Sequence, residues 1–399
     1  MPPFAQNVMP DNSATTSTRL ILGALHPEQT PEKWTADCVK HQVNWDDLVI
    51  RAIVFGLAPQ LYYQLDDWRF DLPPRAQAKL KVTYQAQVRR NEAIYEQLGE
   101  VLAACWAQGL RPIALKGVHL AACYYREPAL RPMNDIDLLF KPDDLPTAEN
   151  ILSDLGYGGK HKSADLGPGV TKHTSTFRRS EEAAPTPNPY LSAGTDRTVE
   201  PHLSLEESWF GLKVDVTPGV WQRAQTADLQ GRSCLVLASE DLLLHLCVHF
   251  CFHLIMGAPS IVQLTDLLIV TQAGTVDWPI FTIRARTQKA APFALAALNL
   301  AANLLKAAVP ESVLQELSQA TTPQLRNYIL NLDLQHILQR TQQKPLTTLP
   351  QRLKRGLQDR AETARWAETL YGRWQVWRTI LSPTRTDTGQ MLLGKHPKK

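Results

Sequence analysis

From Lys79 to Ala107, Leu80, Tyr84, Val88, Ile94, Leu98, Val101, Leu102 and Trp106 recur at helical spacing, and Gly109 closes the run. Upstream, Asn44-Trp45-Asp46-Asp47 reads as a helix start, with Asn44 as cap and acids in the first turn. Asp71-Leu72-Pro73-Pro74 punctuates before the next helix. Between Arg111 and Leu205 the pattern changes. Short apolar runs predict strands near 112–115, 135–140, 172–179 and 198–205, with helices near 117–125 and 143–155. From Ser239 to about Ile380 the Leu- and Ala-rich pattern is helical again. The whole predicts an α+β protein: a small mixed β-sheet core at 111–238 between an N-terminal helical region at 19–110 and a C-terminal helical bundle at 239–381. Residues 1–18 are expected to be disordered, 180–196 to form a flexible insertion at a hairpin tip, and 382–399 a flexible basic tail.

One strand carries chemistry. In LKGVHLAACYYREPALRPMNDIDLLF, residues Leu115 to Phe140, Asp135 and Asp137 sit inside an apolar run. Side chains at i and i+2 of a strand share a face, so both carboxylates project together and need positive charge nearby. A divalent metal ion supplies it. Gly117 allows close backbone approach, the helix that follows favours an anion, and Lys116 and Arg131 add charge suited to phosphates.

Leu115-Lys116-Gly117, then Tyr124 or Tyr125, Arg131 and Asp135-Ile136-Asp137-Leu138-Leu139 resemble, as a group, the uncharacterised nucleotidyltransferase family of the DNA polymerase β-like superfamily. The likeness runs from about Leu20 to Leu305 and takes in Asn44-Trp45, Arg90-Asn91, Val199-Glu200-Pro201-His202 and the helices from His249 to Asp266. It implies a nucleotidyltransferase core that moves a nucleotidyl group from an NTP to a hydroxyl or phosphate, with Mg²⁺ or Mn²⁺ held by Asp135, Asp137 and a third carboxylate. Glu200 is the candidate for that third place, and Asp215, in Lys213-Val214-Asp215-Val216, is its rival. Lys116, Gly117 and Arg131 would receive the nucleotide. Pro201, which lacks a ladder donor, places its strand at a sheet edge. Where the wider superfamily has Gly-Ser, this chain has Gly117-Val118 and lacks the hydroxyl. Two other readings stay open: a biosynthetic tailoring enzyme acting on a peptide or small molecule, and an inactive nucleotide-binding or scaffold protein.

Composition narrows the partners. A net charge of +3 over 399 residues does not demand nucleic acid, so a small-molecule, peptide or protein acceptor is preferred. Six scattered cysteines without a Cys-x-x-Cys pair, and an N-terminus without a secretory pattern, make cytoplasm the expectation. Leu242 to Thr265 contains no Asp, Glu, Lys or Arg, long enough for a bilayer. Three histidines and Gly257-Ala258-Pro259 favour two buried helices around a turn instead. His245, His249 and His253 fall on one helical face and read as core or cleft residues, with His249 the candidate to line a cleft. Trp366, Trp374 and Trp377 read as core anchors of the last helix.

Overall fold

A computed structural model of the protein describes residues 12–161, 175–179, 198–341 and 348–380. Helices Asn12–Ala24, Pro31–Lys40, Trp45–Val54, Ala58–Asp67 and the 34-residue Pro74–Ala107 come first. As the pattern predicts, Asn44 caps the third, its Oδ1 accepting from the Asp47 amide at 3.1 Å. The first helix starts at Asn12, inside the stretch expected to be disordered. Thr18 is buried there, and Ser17 donates to Asp47 Oδ2 at 2.6 Å, so its polar residues have partners within the fold.

The strands follow in chain order: β1 (Ile113–Ala114), β2 (Asp135–Leu139), β3 (Tyr157–His161), β4 (Ser175–Arg179), β5 (Thr198–His202), β6 (Glu206–Trp209), β7 (Leu212–Asp215), β8 (Gln225–Asp228) and β9 (Ser233–Val236). Seven form a mixed sheet in the order β3-β4-β5-β2-β1-β9-β8, and β6 with β7 makes a separate hairpin. β2 runs parallel to β5 and antiparallel to β1. β5 is therefore interior, not the edge that Pro201 suggested. Its pairing with β4 is registered at Phe177↔Val199, so the Pro201 nitrogen is not asked to donate across that ladder. The expected insertion at 180–196 and the tail at 382–399 lie outside the described residues.

Strand alternation sorts the sheet into two chemistries. Ile136, Leu138, Phe177, Val199 and Val236 join Ile94, Leu98, Val101 and Leu102 of the long helix in one apolar cluster. Ile113 and Leu139, from alternate positions, belong to the larger cluster. That cluster unites the N-terminal helices (Leu22, Leu48, Leu61) with the C-terminal ones (Leu246, Phe250, Leu298, Ile337). The two helical flanks are thus one packed body.

Helix Ser239–Met256 ends at Gly257, whose φ of 79° suits glycine, and Val262–Gln272 follows. This is the expected pair of helices around a turn. Ser239–Met256 is long and apolar enough to cross a membrane, yet 72% of it is buried inside the fold. At the end of the chain only Trp366 meets expectation. It is buried and stacked on Phe293 at 5.4 Å, whereas Trp374 and Trp377 are 53% and 40% exposed.

A polar clamp fixes the loop before β2. Arg90 Nε donates to the Met133 carbonyl at 2.9 Å, and its Nη2 to Asn134 Oδ1 at 2.7 Å. Asn91 Nδ2 donates to the Arg131 carbonyl at 3.0 Å. Arg131 itself forks onto Asp266, with Nε to Oδ1 at 2.7 Å and Nη2 to Oδ2 at 2.8 Å, and Tyr125 donates to the same carboxylate at 2.8 Å. The Asp266 side chain is fully buried. Removing it strands a guanidinium. We expect Asp266→Ala to cost about 3–5 kcal/mol in urea denaturation, and the double change Arg131→Met, Asp266→Leu to cost less than the single one. A cost for Asp266→Ala below about 1 kcal/mol would show that this pair does not hold the loop.

Candidate active site

The parallel pairing of β2 with β5 sets Asp135 beside Thr198, Asp137 beside Glu200 and Leu139 beside His202. Neighbours across a ladder share a face, and so do i and i+2 along a strand. Asp135, Asp137, Glu200 and His202 therefore stand on one side of the sheet, opposite the Ile136–Leu138 cluster. His202, completely buried, places Nε2 2.7 Å from Asp137 Oδ1. Lys116 Nζ lies 3.1 Å from Asp137 Oδ2. Thr176 Oγ1 donates to Glu200 Oε1 at 3.0 Å.

The Lys116 main chain is left-handed, with φ of 41°, where a non-glycine residue is strained. Just before it, Leu115 donates its amide to the Asp137 carbonyl at 3.0 Å, which extends the β1–β2 ladder. The chain turns sharply from that ladder into helix Lys116–Cys123, and the turn brings the lysine to the aspartate.

Two expected nucleotide contacts are placed differently. The guanidinium of Arg131 is paired with Asp266, so its charge is already neutralised within the fold. A side chain on Gly117 would meet Met133 Cγ at 3.2 Å and Sδ at 3.3 Å. The space left by its missing Cβ is filled by Met133. Asp215 lies on the β6–β7 hairpin, exposed, and accepts the Thr217 amide at 2.9 Å in a local turn. The structure brings Glu200, not Asp215, beside Asp137.

His202 was in view in the sequence but drew no role. Its signal was its place two residues after Glu200 on the same strand. Glu207 gave no signal. It is buried on β6, and its Oε1 lies 2.7 Å from Nδ1 of His249, the histidine expected at the cleft.

Carboxylates crowd this cluster. Burial, then Asp137 and more weakly Glu200, push the Asp135 carboxyl up to about 7 against the pull of Lys116 and Arg131. Burial alone would lower the Lys116 ammonium. The carboxylates of Asp137, Asp135 and Glu207 outweigh it, and the group lies above the usual lysine range. The Lys116 ammonium is thus drawn on by several acids at once. A cation fits the donor set: oxygens of Asp137 and Glu200 and a ring nitrogen of His202 lie within 4.8 Å of one another, with the first and last nearly closed to solvent.

A family model described as uncharacterised nucleotidyltransferase matches residues 41–306, more than half of the chain, from before the third helix to the end of Ala291–Leu305. Neither a curated protein nor a solved structure matches. The matched span contains the whole sheet, the carboxylate cluster and both helical partners of the Arg131 loop, and on that footing the chain belongs to the uncharacterised nucleotidyltransferases.

Proposed function

We propose that the protein transfers a nucleotidyl group from an NTP to a hydroxyl or phosphate of a small molecule, peptide or protein, and that it does so with a bound divalent ion. The observation that carries this reading is the crowding of carboxylates on one face of β2 and β5, buried at Asp137 and half-buried at Asp135 and Glu200, in a family of nucleotidyltransferases. In such a transfer the acceptor oxygen forms a bond to the α-phosphorus. The bond from that phosphorus to the bridging oxygen breaks, pyrophosphate leaves, and the acceptor gives up its proton.

Asp137 and Glu200, with Asp135 beside them, would hold the ion, which supplies positive charge against the negative charge gathering on the phosphates. Lys116 stands at the head of a helix next to these acids. With its carboxylate partner taken up by the ion, its ammonium is placed to neutralise a phosphate oxygen. Thr176 orients the Glu200 carboxylate. The Arg90, Asn91 and Arg131 bonds hold the strand that bears Asp135 and Asp137 at a fixed height, which a reaction sensitive to ångström errors requires. Binding without transfer is the second reading. It is favoured by Asp137 having both oxygens engaged, one by Lys116 and one by His202.

Mn²⁺ or Mg²⁺ given with an NTP should raise the melting temperature, by the equivalent of about 2.7 kcal/mol at a hundredfold excess over Kd. NTP with EDTA should do far less. Equal shifts in both conditions, read by differential scanning fluorimetry, would remove the metal from the proposal.

Asp137→Asn and Glu200→Gln should each lower transfer from a radiolabelled NTP by roughly 10²-fold or more, since each removes a carboxylate that would hold the ion whose positive charge opposes the developing negative centre. Asp215→Asn should keep most activity. The reverse ranking would move the third carboxylate to the hairpin. Transfer undiminished in both cluster variants, with bound NTP, would instead favour a different reacting centre.

Asp135 sets a pH dependence. Its folded value, about 7, lies above the roughly 4 of an unfolded aspartate, so the fold prefers the protonated form. That contribution is fully present below about pH 4 and is lost as pH rises through 7. In EDTA, Asp135→Asn should therefore raise the melting temperature relative to the parent at pH 8 and leave it nearly unchanged at pH 4. Thermal melts across that range that show a constant difference would contradict the repulsion described above.

A further inference from the structure

The donor atoms beside Asp137 are not all oxygens. His202 is fully buried, two residues along β5 from Glu200 and on the same face, and its Nε2 points at Asp137 Oδ1 from 2.7 Å. Two ligands at right angles on one ion, each about 2.1 Å away, stand roughly 3 Å apart. A few tenths of an ångström separate the observed pair from that spacing. With Glu200, all three ligand atoms already fall within 4.8 Å of one another. We propose that His202 Nε2 is a direct metal ligand, and that the site formed by Asp137, Glu200 and His202 selects a transition-metal ion such as Mn²⁺ over Mg²⁺.

The chemistry follows from ligand preference. Mg²⁺ takes oxygen donors and retains water, whereas imidazole suits the first-row transition metals. Without an ion, a proton on Nε2 bridges the ring to Asp137, and Lys116 covers the other carboxylate oxygen. On binding, the N–H bond breaks, the nitrogen lone pair takes the ion, and the proton leaves to solvent or to Nδ1. The same nitrogen also lies within 4.8 Å of a Glu200 oxygen, so one ion can meet all three donors. This inference depends on the proposed function for the presence of a divalent ion and adds its identity.

The test uses the full-length protein loaded with Mn²⁺ and electron spin echo spectroscopy. A directly bound imidazole should give nitrogen modulation that changes when histidine is ¹⁵N-labelled, a result that needs no variant to fold. His202→Gln should abolish the modulation and lower Mn²⁺ affinity by about 100-fold or more while changing Mg²⁺ affinity much less. His249→Gln should retain the modulation. A Mn²⁺-loaded protein with no nitrogen modulation, or a His202→Gln variant that keeps it, overturns the inference. An oxygen-only shell with metal-dependent ATP binding leaves the proposed function standing. Nitrogen ligation without binding of ATP, GTP, CTP or UTP leaves this site standing and sinks that function. Failure of the parent protein to bind millimolar Mn²⁺ ends both.

Discussion

Like charges on neighbouring parallel strands repel, and everything around β2 and β5 answers to that constraint. The register that sets Asp137 beside Glu200 is the backbone's, fixed by ladder hydrogen bonds and by the apolar side chains on the opposite face. Sliding β5 by one residue would turn Val199 toward the polar side and Glu200 into the apolar cluster. The sheet therefore accepts the repulsion rather than escaping it, and the chain compensates with a lysine held in a strained backbone conformation and a buried histidine. Strain and charge crowding coincide at one point, as they do where a fold is organised around a ligand.

The loop that delivers β2 is secured from two directions. The long helix holds its carbonyls through Arg90 and Asn91, and Val262–Gln272 holds its guanidinium through Asp266. One of these helices precedes the sheet in sequence and the other follows it, yet both converge on the segment from Pro128 to Asn134. The helical flanks thus hold from two sides the segment that leads into the central strand of the sheet.

What was legible in the sequence was local. Asn44 as a cap, the Leu80–Trp106 stripe, the turn at Gly257 and the shared face of Asp135 and Asp137 each depend on residues within a turn or two of one another. Glu200 was legible because its neighbours on the strand carried a family resemblance. What was hidden depends on distant partners. Arg131 has the composition of a phosphate contact, and only the arrival of Asp266, 135 residues later, gives it another task. Glu207 acquires meaning from His249, 42 residues away. Gly158 and Gly159 disfavour a strand by propensity, yet pairing with Arg178 and Phe177 makes β3. Trp374 and Trp377 stay exposed because no described element packs over them, a fact that aromatic character alone cannot convey.

The shared core of the two helical flanks has a consequence for how the chain is made. Gln60 Nε2 donates to Thr265 Oγ1, a buried bond between residues 205 apart in sequence, and the first helix packs on Ala291–Leu305 and Leu334–Thr341. During synthesis at roughly 5–20 residues per second, the N-terminal helices wait about 10–40 s before the segment bearing Thr265 exists. Their apolar faces, including Leu22, Leu48 and Leu61, spend that interval without their final partners. Completion of the shared core is therefore a late event of translation, and until then the apolar faces of the early helices are exposed to the misassembly that threatens large chains.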